Sequence, residues 1–152
     1  MLRYLLRDTR WAMSEESTTS DLVELTRLAF EYASDRDWGA LLRLYGPGSV
    51  WDMSPLGLGT YEGPTATRRF FEEWTASYEN YGIEPEEILE LGNGVVFARV
   101  RQGGRPAGSS GDVSLLYAAV VVWKEAIVVR LTNYTDLDEA RAVAEHLAEE
   151  RG

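Results

Sequence analysis

The chain has 152 residues, 45% hydrophobic and 26% charged, which suits one packed domain and excludes a disordered chain. A formal net charge of −10 works against phosphate backbones and anionic lipid surfaces, so neither nucleic acid nor membrane is an expected partner. The chain has no Cys, and His146 is its only His; a disulfide framework, a thiolate nucleophile and a zinc site built from this chain alone are excluded, and no metal or cofactor is expected.

Met1–Met13 is basic and partly apolar, but Arg3, Arg7, Asp8 and Arg10 interrupt it. It is too short for a signal peptide or a membrane span. Residues 1–19 read as a flexible extension, with Met13 as an alternative start and a docking arm as the rival reading. A single domain is expected over 20–151, in a cytoplasmic protein.

The first predicted helix runs from Asp21 to Ser34, with Asp21 as cap, Glu24 three residues on, and Leu22, Leu25, Leu28, Ala29 and Tyr32 on one face. A short helix over Trp38–Tyr45 ends at Gly46-Pro47-Gly48. Ser49–Met53 reads as a strand and Ser54–Gly63 as a Gly-rich loop, a candidate lid. Pro64 opens a third helix over Thr65–Tyr78 that carries Phe70, Phe71 and Trp74. After a turn at 79–82 come strands over Ile83–Leu91 and Gly94–Gln102, joined by the hairpin signal Asn93-Gly94. A loop over Gly103–Gly111 leads to a long apolar strand, Asp112–Trp123. The last strand, Ile127–Thr135, precedes a helix over Asp136–Arg151 with Leu137, Ala140, Val143, Ala144 and Leu147 at helical spacing. Helices segregated from a run of antiparallel strands make an α+β fold. A curved sheet closed on one side by helices leaves a hollow suited to a small organic molecule.

Four stretches, DRDWGALLRLY, SVWDMSPLGLGTYEGPTATRRFF, VVVWKEA and IVVRLTNYTDLDEA, resemble in order and spacing the SnoaL-like branch of the nuclear-transport-factor-2-like superfamily. The resemblance covers roughly residues 20–150. It implies a conical barrel of a curved, mainly antiparallel sheet closed by three N-terminal helices, with a C-terminal helix. A homodimer formed through the sheet is also implied. Ketosteroid isomerases, polyketide cyclases, epoxide hydrolases and binding modules share that fold, so function has to be argued from the site.

Asp52, in VWDM, resembles the general base of the isomerases, and an apolar pocket would suit it for proton transfer. Strand faces alternate, however, so either Asp52 or its neighbours Trp51 and Met53 point inward. Ala29 stands where the isomerase oxyanion Tyr would be; Tyr32, nearly one turn later, is the candidate hydroxyl at the cavity wall. The Asp-Arg-Asp set of the epoxide hydrolases is replaced by Arg99, Arg101 and Asn133. Asn cannot take a proton as a carboxylate can. Arg99 and Arg101 share a strand face and either grip an anionic ligand together with Asn133 or form an outer ladder with Glu86, Glu87 or Glu90. Leu131, Asn133 and Thr135 are placed inward by the resemblance, and Trp51, Trp74, Tyr117 and Trp123 are candidate lining residues. His146 reads as solvated. Three functions follow: a cofactor-free isomerase or cyclase using Asp52, a non-enzymatic carrier or sensor, and a dimeric interaction module whose hollow is filled by its own aromatics.

Overall fold

The computed structural model describes the backbone of residues 14–152 and the side chains of 21–152. The expectations for residues 1–13 lie outside the described residues. The elements in order are α1 (Ser14–Ser34), α2 (Trp38–Leu42), β1 (Tyr45–Asp52), a 3₁₀ turn (Ser54–Leu56), β2 (Thr60–Glu62), α3 (Gly63–Ala76), β3 (Tyr78–Gly92), β4 (Val95–Pro106), β5 (Val113–Lys124), β6 (Ile127–Tyr134) and α4 (Leu137–Arg151).

The six strands form one sheet in the order β2-β1-β6-β5-β4-β3. All neighbours are antiparallel except β1 and β6. The sheet is therefore open at β2 and β3, and the fold is α+β. Alternation along the strands separates two cores. Val96, Ala98 and Val100 of β4, Tyr117, Ala119 and Val121 of β5 and Leu131 of β6 face the helices α1 to α3. Val95, Phe97, Ala118 and Val120 face the other way, against Ala140, Ala144 and Ala148 of α4. Alanine at every fourth position gives α4 a smooth stripe, which lets it lie close to the sheet.

Several boundaries differ from the sequence reading. α1 begins at Ser14, so Asp21 lies inside a helix instead of capping it; the run SEESTTS contains no Gly or Pro to stop it. α2 stops at Leu42, and the Gly-Pro-Gly run is already strand, with Val128 donating to the Leu44 carbonyl at 2.7 Å. The turn expected at 79–82 belongs to β3, bulged between Glu79 and Gly82, with Asn80 at φ 57°. β4 continues through Gly103-Gly104 because these glycines admit the neighbouring strand closely: a Cβ on Gly104 would lie 3.2 Å from Tyr78 and 3.3 Å from Tyr81. Val143 is 36% exposed, off the buried stripe of α4.

Candidate functional site

A hollow of about 60 Å³ lies between α1, α3 and the inner face of the sheet. It is small because the aromatics that line it also fill it. The Trp51 ring stacks on Phe71 at 4.3 Å and meets the edge of Phe70 at 5.1 Å. Phe70 stacks on Trp74 at 5.9 Å, and Tyr78 links Trp74 to Tyr81. Such pairs add stability beyond their buried area and hold the rings in fixed poses. The hollow expected from the sequence is thus a compact aromatic chamber. Leu115 lines it yet is 38% exposed, which places the mouth at the Leu115 end of β5.

The polar groups of the chamber are few. Tyr81 Oη donates to Gln102 Oε1 at 3.1 Å, and Trp123 Nε1 donates to Thr26 Oγ1 at 3.1 Å. The Asn133 amide donates to Met53 Sδ at 2.9 Å, and its carbonyl Oδ1 has no partner among the described residues. Trp51 Nε1 is likewise buried without a partner. Burial raises the hydroxyls of Tyr45, Tyr81 and Tyr117 far above the ordinary phenol range, so all three stay protonated. Among the described residues none of those lining it is Asp, Glu, His, Lys or Arg.

Of the residues singled out from sequence, Trp51, Trp74, Tyr117, Trp123, Leu131 and Asn133 line the chamber. Asp52 does not, which corrects the expectation of an inward base. β1 turns Trp51 and Met53 inward, so Asp52 faces outward. Its carboxylate accepts from the Ser54 amide at 2.9 Å, the Thr60 hydroxyl at 3.2 Å and Arg130 at 2.7 Å. Desolvation pushes its pKa up, but these hydrogen bonds from Ser54, Thr60 and Arg130 outweigh it and hold the group below the ordinary carboxylate value. A depressed pKa suits a structural carboxylate that ties the 3₁₀ turn and β2 to β6.

Arg99 and Arg101 also lie outside. They alternate with Ala98, Val100 and Gln102, which face the chamber side, and form the outer ladder. Arg101 Nε is 2.7 Å from Glu86, and Arg99 Nε is 3.5 Å from the other oxygen of the same carboxylate. The Arg101 hydrogen bond holds Glu86 below its ordinary pKa. Tyr32 packs half-buried against the inner core and is not a lining residue. Thr135 lies beyond β6 and is exposed, and His146 is exposed beside Glu150.

Sequence reasoning missed Tyr45, Tyr81 and Gln102 as lining residues. Tyr81 sat in a supposed turn, although its i,i+2 relation to Ile83 was a signal. Gln102 shares the face of Val96, Ala98 and Val100 and was legible by the same period. Among the described residues no three His, Cys, Asp or Glu side chains converge on a metal site, and no helix is long and apolar enough to cross a membrane.

The fold recurs in solved proteins. A hypothetical protein of ketosteroid-isomerase-like fold from Catenulispora acidiphila, in complex with trimethylamine, matches with a TM-score of 0.67 and 16% identity over 80% of this chain and 92% of that one. TerC co-crystallised with polyporic acid matches at 0.66, with 17% identity over 82% of this chain and 98% of the other. SalBIII, an epoxide hydrolase/cyclase-like enzyme of pyran ring formation in the polyether salinomycin, matches at 0.64, with 16% identity over 80% and 93%. At these identities the likeness is one of fold. No curated protein matches the sequence. The model of the SnoaL-like domain matches residues 26–131, most of the chain, and the chain belongs to the SnoaL-like family.

Proposed function

We propose that this protein is a non-enzymatic binder, a carrier or sensor, of a small organic molecule held in the aromatic chamber. The observation that carries the reading is the lining itself: largely apolar and aromatic, with a few amide and hydroxyl groups and, among the described residues, no ionisable acid or base poised near neutral pH. Proton-transfer catalysis needs a group whose pKa lies near the working pH and within hydrogen-bond reach of the substrate. The chamber offers Tyr hydroxyls raised away from that range, and the nearby Asp52 is turned to the outer face. Apolar cavities with a few polar groups favour binding. Trimethylamine and polyporic acid in two proteins of the same fold agree with a small-molecule role.

The volume limits the occupant. About 60 Å³ corresponds to roughly four to six water-sized groups at 10–15 Å³ each. Five-atom rings are therefore suitable probes. In ligand-observed NMR titrations, thiophene or pyrrole is expected to bind saturably at one site per chain. Ala29→Trp, which adds an indole to the chamber wall, is expected to abolish that binding while the protein stays folded. Failure of both rings, and of a charged probe of the same size, to bind the wild-type protein would rule out the reading.

A homodimer through the sheet, implied by the family resemblance, would have to cover the outer ladder of Glu86, Arg99 and Arg101. Light scattering of the eluted protein gives the mass that decides it.

A further inference from the structure

Within the pocket reading above, on which this step rests, the unpartnered groups narrow the ligand's chemistry. Asn133 is 4% exposed, and its Oδ1 has no hydrogen-bond partner among the described residues. A buried carbonyl oxygen left unpaired is costly, and most such atoms in folded proteins find a donor. The backbone does not supply one. β6 runs beside β1, with Leu131 level with Trp51, and sends Asn133 to the same inner face two residues on. There its amide nitrogen meets, among the described residues, only the Met53 sulfur, a weak acceptor. The final torsion of an Asn side chain is broad, so the carbonyl can turn toward a donor inside the chamber. Trp51 Nε1, buried and unpartnered on the neighbouring strand, leaves a donor in the same wall.

Charge is the second constraint. Among the described residues no lining side chain carries a formal charge, and the buried Tyr hydroxyls remain protonated. An ion entering the chamber would lose its hydration without an opposite charge to replace it. The aromatic walls are the one feature that could still hold a cation, through their ring faces.

We infer that the chamber takes a small neutral molecule bearing an O–H or N–H group, which donates to Asn133 Oδ1 while the rest of the molecule packs among the Trp51, Phe70, Phe71 and Trp74 rings.

The test uses three probes of five heavy atoms each: pyrrole, which has an N–H donor; thiophene, which has none; and tetramethylammonium, which is charged. Pyrrole is the better hydrated of the two rings, so a purely apolar cavity favours thiophene. Pyrrole is expected to bind the wild-type protein at least as tightly as thiophene. In Asn133→Leu, an apolar replacement of similar size, pyrrole is expected to weaken about tenfold, the worth of one hydrogen bond, while thiophene holds or gains. Asn133→Ser, which keeps an acceptor, is expected to restore part of the preference and covers the case in which the leucine variant fails to fold. Thiophene binding tighter than pyrrole in the wild type, or a pyrrole preference unchanged in both variants, would overturn the hydrogen-bonding assignment. Tetramethylammonium binding more tightly than pyrrole would overturn neutrality in favour of a cation cage. If none of the three binds, the pocket reading itself fails, and this inference with it.

Discussion

Trp51 and Asp52 are adjacent in sequence, and strand geometry sends them to opposite faces. The indole enters the aromatic chamber, and the carboxylate goes to an outer cluster with Arg130, Thr60 and the Ser54 amide. Family resemblance drew attention to Asp52, and the sequence left the register of its strand open; the burial of Ser49, Trp51 and Met53 decides it the other way. Asp52→Asn is therefore expected to act on stability and not on the chamber. Losing a charge-assisted network at a partly exposed site costs about 1 kcal/mol, and pyrrole affinity should stay within twofold of wild type. The sign with pH follows from the depressed folded-state pKa. The carboxylate's contribution is present above its ordinary value of 3.8 and is lost as pH falls through the lower folded value. Urea denaturation at pH 7 and near pH 3 should show the gap between wild type and variant narrowing in acid; a gap that persists undiminished near pH 3 would refute the role.

At the scale of elements, two hairpins share one backbone conformation and differ in how well their residues suit it. Asn93-Gly94 joins β3 to β4 with φ of 57° and 82°, and Glu125-Ala126 joins β5 to β6 with φ of 53° and 66°. Both are two-residue turns with φ positive at each position, which Asn-Gly adopts readily and Glu-Ala does not. A left-handed residue with a Cβ costs roughly 1–2 kcal/mol, and glycine's extra freedom in the unfolded chain offsets part of the gain. Ala126→Gly is accordingly expected to stabilise the protein by about 0.5–1 kcal/mol, read as a raised urea midpoint at constant slope. A lowered midpoint would show that the turn is not strained. The contrast also explains what was legible. Asn93-Gly94 announced its hairpin from sequence, and the long strands β4, β5 and β6 could be placed from their apolar runs and alternation. The start of β3 was hidden because Asn80 and Gly82 are turn residues used in a bulge, and the start of β1 was hidden because Gly46-Pro47-Gly48 lies in an irregularity of the pairing with β6. The inward face of Asn133 was expected from resemblance. Its unpartnered oxygen depends on where Met53 sits, which no local pattern contains.

In the whole molecule the sheet separates two cores, and β5 contributes to both. Tyr117, Ala119 and Val121 face the aromatic chamber, while Ala118 and Val120 lie against the Ala140, Ala144 and Ala148 stripe of α4. Val95 and Phe97 of β4 lie under α4 as well, so a disturbance there reaches the chamber only by bending β4 or β5. Ala144 is fully buried, so Ala144→Leu inserts three carbons where there is no space and should cost about 1–3 kcal/mol. Strand β5 pairs on both sides, with β4 and with β6, and this two-sided ladder resists bending. The expectation is therefore a large fall in stability with pyrrole affinity unchanged within twofold. Trp51→Ala should behave differently: it removes a chamber wall, costs about 3–5 kcal/mol as a core truncation and changes affinity as well. Sites on separate faces with no shared contacts should add, so the double variant Ala144→Leu with Asn133→Leu is expected to match the sum of the single effects within about 0.5 kcal/mol. A pyrrole affinity that shifts severalfold in Ala144→Leu would mean that the sheet transmits strain between its faces. In that case α4 would be part of the binding apparatus and not merely the cover of a second core.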